Sequence, residues 1–584
     1  MKFKERIIDN KKDLIAIGTL LIILSTITYF LLSIDMKIGA YYVRDVFSYL
    51  NNALSFGGYE SGLSASRGLS PVIPFITSIF FRLGFISDGT IMIVSSLFYI
   101  IMGIGTYCLF RLRFNELISS CGTIILATFP INLVWVSKGM LDIPGLALSI
   151  WTIYFMILGM KKDSKFFLLT FPLFIVGFFT RYTVALILPV ILIMVFLMEN
   201  PFKTIKKKYK SLVGGFLSGG ICLAIFIIIY KVYNLPLFFL SQTESISSTT
   251  SASSPTTNIL INNNLFYYLK NLPIYLGTHK WIPYSLQPGT FLFDQMKWAG
   301  GYPSIIAYLY LVILVIGIAL YLRKLFSKRN RKLMFETEDK KVYVKLAIFL
   351  TSLIVFLISF TKISIIYSLI IISISLLSLY RILYKADIKY MKLDFIFFYW
   401  GIINFIFYTF HISKVDRYAI SFTPSLTYFI ILSLYLIYNY LKTKYDNKKL
   451  IKEIKTIVPV GLIVILLLFT GIYCAVNEAH TFDNKEPSNM LTASQDEKDI
   501  SNWLKQYDPN YKTKIIWADR GGDMSFYLQM NIPSLDKISN KTNFTSLMKD
   551  NNVTYYISKD NKTNIIHDYI LLKQFGEVSL YKIN

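Results

Sequence analysis

The stretch from Leu14 to Ile34, LIAIGTLLIILSTITYFLLSI, contains 21 consecutive uncharged residues. A helix of this length rises about 30 Å, which is the thickness of the hydrocarbon core of a bilayer. The stretch follows the basic segment MKFKERIIDNKKD and has no cleavage site of small residues. We therefore interpret it as a retained membrane span and not as a signal peptide.

Comparable apolar segments recur along the chain and predict 13 transmembrane helices in an all-α polytopic membrane domain. After the first span, they begin near Met92, Leu117, Pro144, Phe166, Tyr182, Leu212, Ser304, Val344, Ile363, Phe395, Ala419 and Ile457. One further apolar segment, Pro71 to Phe85, is short and contains Pro74 and Arg82. We expect this segment not to cross the membrane, but to lie in the interface as a juxtamembrane helix of the first external loop or to re-enter the membrane.

The charge of the chain indicates its topology. The sequence is 54% hydrophobic with a mean hydropathy of +0.51, which excludes an ordinary soluble protein, and its net charge is +25. With 13 spans, the strongly basic loops all fall on one face, which the positive-inside rule makes cytoplasmic. We therefore expect a multi-pass plasma-membrane protein with a cytoplasmic N-terminus, an extracellular C-terminal domain and no nucleic-acid partner.

The last part of the chain has a different pattern from the rest. Residues 1–476 are predicted to form the transmembrane domain, and residues 477–584 a small extracytoplasmic α/β domain. In this second region, DEKDISNWLKQY and TNFTSLMKDNN are typical of helices, whereas KTKIIWAD, VTYYISKD and GEVSLYKIN are typical of strands.

Two carboxylates near the predicted external face are candidates for chemistry. Asp45 follows Arg44 in the first external loop, YYVRDVFSYLNN, before an amphipathic stretch that predicts a helix lying on the bilayer. A helix cap or a local partner of Arg44 is an equally good interpretation of Asp45. Asp142 lies in the short loop VSKGMLDIPG, four residues after Lys138, where capping of the next helix is the alternative.

Several cations are also predicted at this face. Arg181 lies at a turn between two spans, and the last external loop groups His411, Lys414, Arg417 and Tyr418. Such a cluster fits a phosphate or pyrophosphate site, because the planar guanidinium of arginine can donate two parallel hydrogen bonds to two phosphate oxygens. A solvated loop is the alternative.

The remaining loop residues are assigned to the substrate side of this face. Glu60 and Arg67 belong to the first external loop, and His279 and Lys280 belong to the second long external loop. The sequence has no P-loop, no H-E-x-x-H and no Cys/His spacing typical of a metal site. We therefore expect no ATP-driven step, no cofactor and no obligatory metal.

In its order of motifs the chain resembles the GT-C glycosyltransferase superfamily, in particular its ArnT-like and protein O-mannosyltransferase-like branch. The resemblance covers the whole chain and rests on five features: Arg44-Asp45-Val46-Phe47-Ser48-Tyr49 early in the first external loop, the stretch from Gly68 to Gly84, the stretch FPINLVWVSKGMLDIP from Phe129 to Pro144, the turn Thr180-Arg181-Tyr182, and Arg417-Tyr418 before Pro424. Many members have Asp-Glu where this chain has Asp45-Val46.

The resemblance implies an integral-membrane glycosyltransferase. Its donor would be a polyprenyl (dolichyl-type) phosphate sugar, and its acceptor a glycan, lipid or protein at the external face. Asp45 would align or deprotonate the acceptor hydroxyl, with Asp142 as a second acid near the reaction centre. Lys138, Arg181, Arg417 and Tyr418 would hold the lipid phosphate.

Two other classes of protein remain as alternatives. A transporter or lipid flippase would perform no covalent chemistry and would place ionisable residues near the bilayer midplane. A non-catalytic cell-surface or assembly protein would retain the fold and bind a donor without turnover.

Overall fold

The computed structural model describes most of the chain. The described ranges are residues 11–38, 44–61, 70–198, 200–233, 265–277, 305–335, 341–360, 362–411, 414–444, 448–482, 489–535, 541–559 and 569–583.

The described residues are mainly helical. The helices are α1 Lys11–Ile38, α2 Arg44–Gly57, α3 Val72–Arg82, α4 Asp88–Arg111, α5 Glu116–Ala127, α6 Pro130–Leu133, α7 Asp142–Lys161, α8 Phe167–Thr180, α9 Ile187–Phe196, α10 Pro201–Val232, α11 Tyr267–Leu276, α12 Ile305–Leu325, α13 Lys328–Phe335, α14 Lys341–Ser359, α15 Ile365–Leu383, α16 Met391–Phe410, α17 Thr423–Lys444, α18 Lys448–Phe482, α19 Asn489–Tyr507, α20 Gly521–Leu528 and α21 Lys541–Asp550. Four short 3₁₀ helices cover Ser164–Phe166, Tyr182–Leu186, Asp416–Phe422 and Tyr511–Thr513.

The prediction of a polytopic helical membrane domain is confirmed. Among the described residues, nine helices are long and apolar enough to cross a membrane, and each coincides with a predicted span. The other four predicted spans fall on shorter apolar helices, at Glu116–Ala127, Ser164–Thr180, Tyr182–Phe196 and Thr456–Ile472. The total of 13 spans therefore stays a prediction.

The segment that we excluded from the spans forms α3, whose 11 residues are too few to cross the hydrocarbon core. It packs against α2. The hydroxyl of Tyr59 donates a hydrogen bond to the carbonyl oxygen of Phe81 at 3.1 Å, and the guanidinium of Arg82 donates to the carbonyl oxygen of Phe56. These contacts join α2 and α3 into one helical pair, as expected for juxtamembrane helices.

Buried ion pairs hold the helices together at the end of the bundle that is predicted to be cytoplasmic. Arg111 Nε, at the end of α4, lies 2.6 Å from Asp13 Oδ1 of α1. Arg113 pairs with Asp394 of α16, and the hydroxyl of Tyr428 donates to the same carboxylate at 2.6 Å. Because each charge has a partner of opposite sign, these pairs tie together segments that are distant in sequence without leaving a buried charge unpaired.

The C-terminal region contains a four-stranded sheet in the order β1-β2-β4-β3. Its strands are β1 Ile516–Ala518, β2 Tyr555–Ser558, β3 Ile570–Phe575 and β4 Val578–Lys582. β1 and β2 are parallel, whereas β4 is antiparallel to both β2 and β3. The predicted small α/β region is confirmed, although the sequence did not indicate β3 or α20. The predicted domain boundary at residue 476 lies within α18 and stays a prediction.

The C-terminal region docks on α2 through α20. Asn51 Nδ2 donates a hydrogen bond to the carbonyl oxygen of Gly522 at 2.8 Å. The ring of Phe47 lies 6.1 Å from the ring of Phe526 and 5.7 Å from that of Tyr527, both in edge-on geometry. Helix α2 is therefore held from two sides, by α3 and by α20.

Candidate active site

Two ion pairs bring together four of the predicted site residues. Arg417 Nη2 lies 3.1 Å from Asp45 Oδ2, and Arg181 Nη2 lies 2.9 Å from Asp142 Oδ1. The first pair joins residues that are 372 positions apart in the sequence. The fold therefore brings together the start of α2, the start of α7, the turn after α8 and the 3₁₀ helix at Asp416–Phe422.

Each of these side chains is placed by the end of a helix. Asp45 lies in the first turn of α2, and Asp142 is the first residue of α7. Arg181 interrupts the helical backbone between Thr180 and the 3₁₀ helix that follows, with an extended conformation of φ −152° and ψ 116°. The local alternatives for the two acids do not account for these contacts, because each carboxylate pairs with an arginine from a distant segment.

The position of Arg417 depends on the residue before it. Asp416 is 2% exposed and accepts hydrogen bonds from the hydroxyl of Tyr275 and, at 3.3 Å, from Asn271 Nδ2. The hydroxyl of Tyr268 donates to the carbonyl oxygen of Val415 at 3.1 Å. Helix α11 thus anchors the segment before Arg417 at two points, Val415 and Asp416.

A cavity of about 380 Å³ lies beside the ion pairs. Part of this volume is open to solvent. Its walls come from α7, α16 and the two 3₁₀ helices at Tyr182–Leu186 and Asp416–Phe422, and the lining residues are Asp142, Gly145, Leu146, Ser149, Arg181, Thr183, Val184, Ile187, Trp400, Asn404, Tyr408, Arg417, Tyr418, Ile420 and Ser421.

Three buried polar atoms of the cavity-lining residues have no hydrogen-bond partner. They are Asp142 Oδ2, Arg181 Nε and Arg417 Nε. Leaving a buried donor or acceptor unsatisfied costs about 1–3 kcal/mol, and more for a charged group. Three such atoms on residues that line one cavity favour a ligand that offers hydrogen-bond acceptors to the two arginines and a donor to the carboxylate.

The surroundings keep the Arg181 guanidinium charged. Burial alone would lower its pKa, but the nearby Asp142 carboxylate raises the pKa of Arg181 above its ordinary value. The Tyr418 ring centroid lies 5.9 Å from the guanidinium carbon of Arg181 and 5.9 Å from that of Arg417. Both distances allow a cation–π attraction. The ring is held by stacking on Tyr408 at 4.8 Å.

Three other predicted residues lie outside the cavity wall. Lys138 is buried and pairs with Asp35, the acid at the end of α1. Lys414 Nζ donates to the carbonyl oxygen of Tyr408 at 2.9 Å, and partial burial lowers the pKa of Lys414 to about 8. The His411 ring contacts that of Tyr418, with centroids 5.6 Å apart.

Among the other predicted loop residues, the structure describes the side chain of Glu60, which does not line the cavity. Glu60 is exposed. Arg67, His279 and Lys280 lie outside the described residues, as does the side chain of Arg44. Their assignments stay predictions.

The structure adds residues that the sequence did not indicate. Tyr49, one turn after Asp45 on α2, is buried, and this burial raises the pKa of its hydroxyl, on which the charges of all four ion-pair residues also act. Asn404 and Tyr408 of α16 line the cavity. Their signal in the sequence is weak, because tyrosine and asparagine within an apolar helix are also common as packing residues.

Within the described part of the chain there is no group of three or more His, Cys, Asp or Glu residues that could hold a metal ion.

Comparisons with known proteins agree with the resemblance seen in the sequence. A family model described as dolichyl-phosphate-mannose-protein mannosyltransferase matches residues 69–230. The fold is similar to that of ArnT from Cupriavidus metallidurans in the apo state, with a TM-score of 0.53, 10% identity, and coverage of 97% of this chain and 98% of ArnT. For ArnT bound to undecaprenyl phosphate, the TM-score is 0.55 and the identity 11%, with the same coverage.

A third structure, an oligosaccharyltransferase from Archaeoglobus fulgidus, matches with a TM-score of 0.41 and 11% identity over 91% of this chain and 68% of the other. A comparison with curated protein sequences found no match.

The comparisons thus show the fold of this chain. The chain is a multi-pass membrane protein with the GT-C glycosyltransferase fold, and its architecture follows that of ArnT over almost its whole length. The predicted GT-C resemblance and fold class are confirmed.

Proposed function

We propose that this protein is an integral-membrane glycosyltransferase that uses a polyprenyl (dolichyl-type) phosphate sugar as donor. It transfers a hexose or pentose to a glycan, lipid or protein acceptor at the external face of the plasma membrane. The family match to mannosyltransferases and the ArnT-like fold support this reaction class.

One observation carries the proposal: two arginines and two aspartates meet at a cavity and leave two guanidinium N–H groups without a partner. Guanidinium groups bind phosphate through short, charge-assisted hydrogen bonds. Arg181 and Arg417 therefore suit the phosphate of a lipid donor. Undecaprenyl phosphate, the lipid in one of the matching ArnT structures, carries such a phosphate.

The reaction that fits this geometry is a displacement at the anomeric carbon of the sugar. Asp45 accepts the proton of the acceptor hydroxyl while the hydroxyl oxygen forms a bond to that carbon. The bond between the carbon and the phosphate oxygen breaks, and its electron pair stays on the phosphate. Arg181 and Arg417 stabilise the charge that develops there. The products are the glycosylated acceptor and the polyprenyl phosphate.

Asp142 and Lys138 have different roles in this scheme. Asp142 holds Arg181 through Oδ1 and directs Oδ2, which lacks a partner, to a hydroxyl of the donor sugar. Lys138 lies outside the cavity wall and stabilises the site indirectly, because its ion pair with Asp35 holds the loop that precedes α7 in place. Tyr418 packs its ring against both guanidinium groups.

The predicted topology supports chemistry outside the cell. The basic loops favour a cytoplasmic N-terminus, and the α/β region then lies at the external face, together with α2 and the ion pairs. A cell-envelope or protein-glycosylation role follows from this orientation. No nucleic-acid partner is proposed, since the positive charge belongs to the cytoplasmic loops.

The transporter alternative has less support. In the predicted spans that the structure describes, the charged residues lie near the helix ends and not at the midplane that transport requires. Neither the family match nor the ArnT-like fold supports a transporter.

The first experiment is an organic-solvent extraction of the purified protein, followed by mass spectrometry of the lipids. A polyprenyl-phosphate sugar is expected, and the loaded protein should glycosylate a component of membrane fractions. The transporter would be favoured instead by two results together. Several preparations would contain only bulk phospholipid, and proteoliposomes with the protein would take up a labelled solute.

A further inference from the structure

We propose that Arg417 is a counterion shared by Asp45 and the lipid phosphate, so that an ionised Asp45 weakens the binding of the phosphate product. This inference rests on the proposed function, because it requires a lipid phosphate in the cavity.

The guanidinium of Arg417 faces two environments. Its Nη2 lies 3.1 Å from Asp45 Oδ2, whose side chain is 46% exposed. Its Nε is buried, has no partner and belongs to a residue that lines the cavity. One cation therefore connects a carboxylate that an acceptor can reach with the cavity that suits the phosphate.

The charges of the four residues cancel. Arg181 and Arg417 carry two positive charges, and Asp45 and Asp142 two negative ones. A lipid phosphodiester donor brings one further negative charge, whereas the monoester product carries between about one and two, since its second pKa is about 6. Asp45 therefore repels the product more strongly than the donor.

In the transfer step, the negative charge on Asp45 is lost and a negative charge forms on the phosphate, on the other side of Arg417. When Asp45 takes the proton of the acceptor hydroxyl, its carboxylate becomes neutral. In the same step the broken bond leaves its electron pair on the phosphate, on the other side of the guanidinium. Arg417 thus exchanges one anionic partner for another without changing place. When Asp45, whose side chain is partly exposed, releases this proton to water, the carboxylate competes for Arg417 and favours release of the product.

The test measures binding of undecaprenyl phosphate to the full-length protein in nanodiscs at pH 8. Asp45→Asn should bind this lipid about tenfold more tightly than the unmodified protein, since a like charge at close range is removed. Glu577→Gln serves as the matched control, because it removes the same charge from an exposed position on the β3–β4 turn; its affinity should not change. Asp45→Ala is a second neutral variant and should give the same gain.

A double-mutant cycle tests whether Arg417 mediates the effect of Asp45 on lipid binding. In an Arg417→Gln background, the Asp45→Asn change should alter the affinity by less than twofold. An unchanged or weaker affinity of Asp45→Asn, in protein that melts like the unmodified form, would overturn the inference. So would a full tenfold gain in the Arg417→Gln background. Failure of the unmodified protein to bind the lipid at all would instead count against the proposed function.

Discussion

The replacement Arg181→Ala separates the structural role of the buried ion pair from its role in binding. In the pair with Asp142, the side chains are 13% and 6% exposed. Removing one partner of such a pair typically costs about 3–5 kcal/mol, because the other charge stays buried. Arg417 also interacts with Asp142, so we expect a loss near the lower end, about 3 kcal/mol.

The same replacement removes a charged donor to the phosphate. A hydrogen bond to a charged group contributes about 1.5–3 kcal/mol, which corresponds to a loss of roughly 10- to 150-fold in affinity for undecaprenyl phosphate. Stability is measured as the midpoint of thermal unfolding of the purified protein, and affinity by lipid titration in nanodiscs.

A double variant distinguishes the two effects. Replacing both members, as Arg181→Met with Asp142→Leu, removes the uncompensated charge and should restore most of the lost stability. Binding and transfer should stay lost, because neither the guanidinium nor the carboxylate is present. If lipid binding returned together with stability, Arg181 would be only a structural partner of Asp142, and its assignment to the phosphate would be wrong.

Three further predictions concern other parts of the site. Asp45→Asn should lower the transfer rate by about 10²- to 10⁴-fold, as for loss of a general base, with little change in the unfolding midpoint; near-normal turnover would refute the base assignment. Asn51→Ala removes the hydrogen bond to Gly522 and should destabilise the docking of the C-terminal region on α2 by about 1 kcal/mol, seen as faster amide exchange in α20. Lys138→Ala should destabilise the protein by about 3–5 kcal/mol by leaving Asp35 unpaired, with no selective loss of phosphate affinity in the folded fraction.

The membrane-spanning helices could be predicted because the backbone polar groups of a segment in the bilayer must be paired within the protein. An apolar run long enough to cross the bilayer has few alternatives, so the long spans coincide with long helices. The short segment Pro71 to Phe85 was excluded from the spans because of its length, its prolines and the charge of the loops, and it forms the 11-residue α3. In the C-terminal region, β3 has an irregular burial pattern and little alternation, which explains why the sequence did not indicate it.

The candidate site was predicted residue by residue but not as pairs. Asp45, Asp142, Arg181 and Arg417 were each identified as charges at the external face, where a span-forming sequence has no need for them. Their pairing depends on how four distant segments meet, which no local pattern reveals. Lys138 illustrates the limit, because its position in the sequence does not reveal its buried ion pair with Asp35.

The most direct test of the central claim is sugar transfer by the purified protein in nanodiscs, supplied with labelled polyprenyl-phosphate sugars and membrane extracts as acceptors. We expect label to move from the lipid to an acceptor with the unmodified protein and not with Asp45→Asn, together with stoichiometric appearance of polyprenyl phosphate. The account would be contradicted if no donor of this class were consumed by a folded protein that binds polyprenyl phosphate, or if Asp45→Asn transferred the sugar at the unmodified rate.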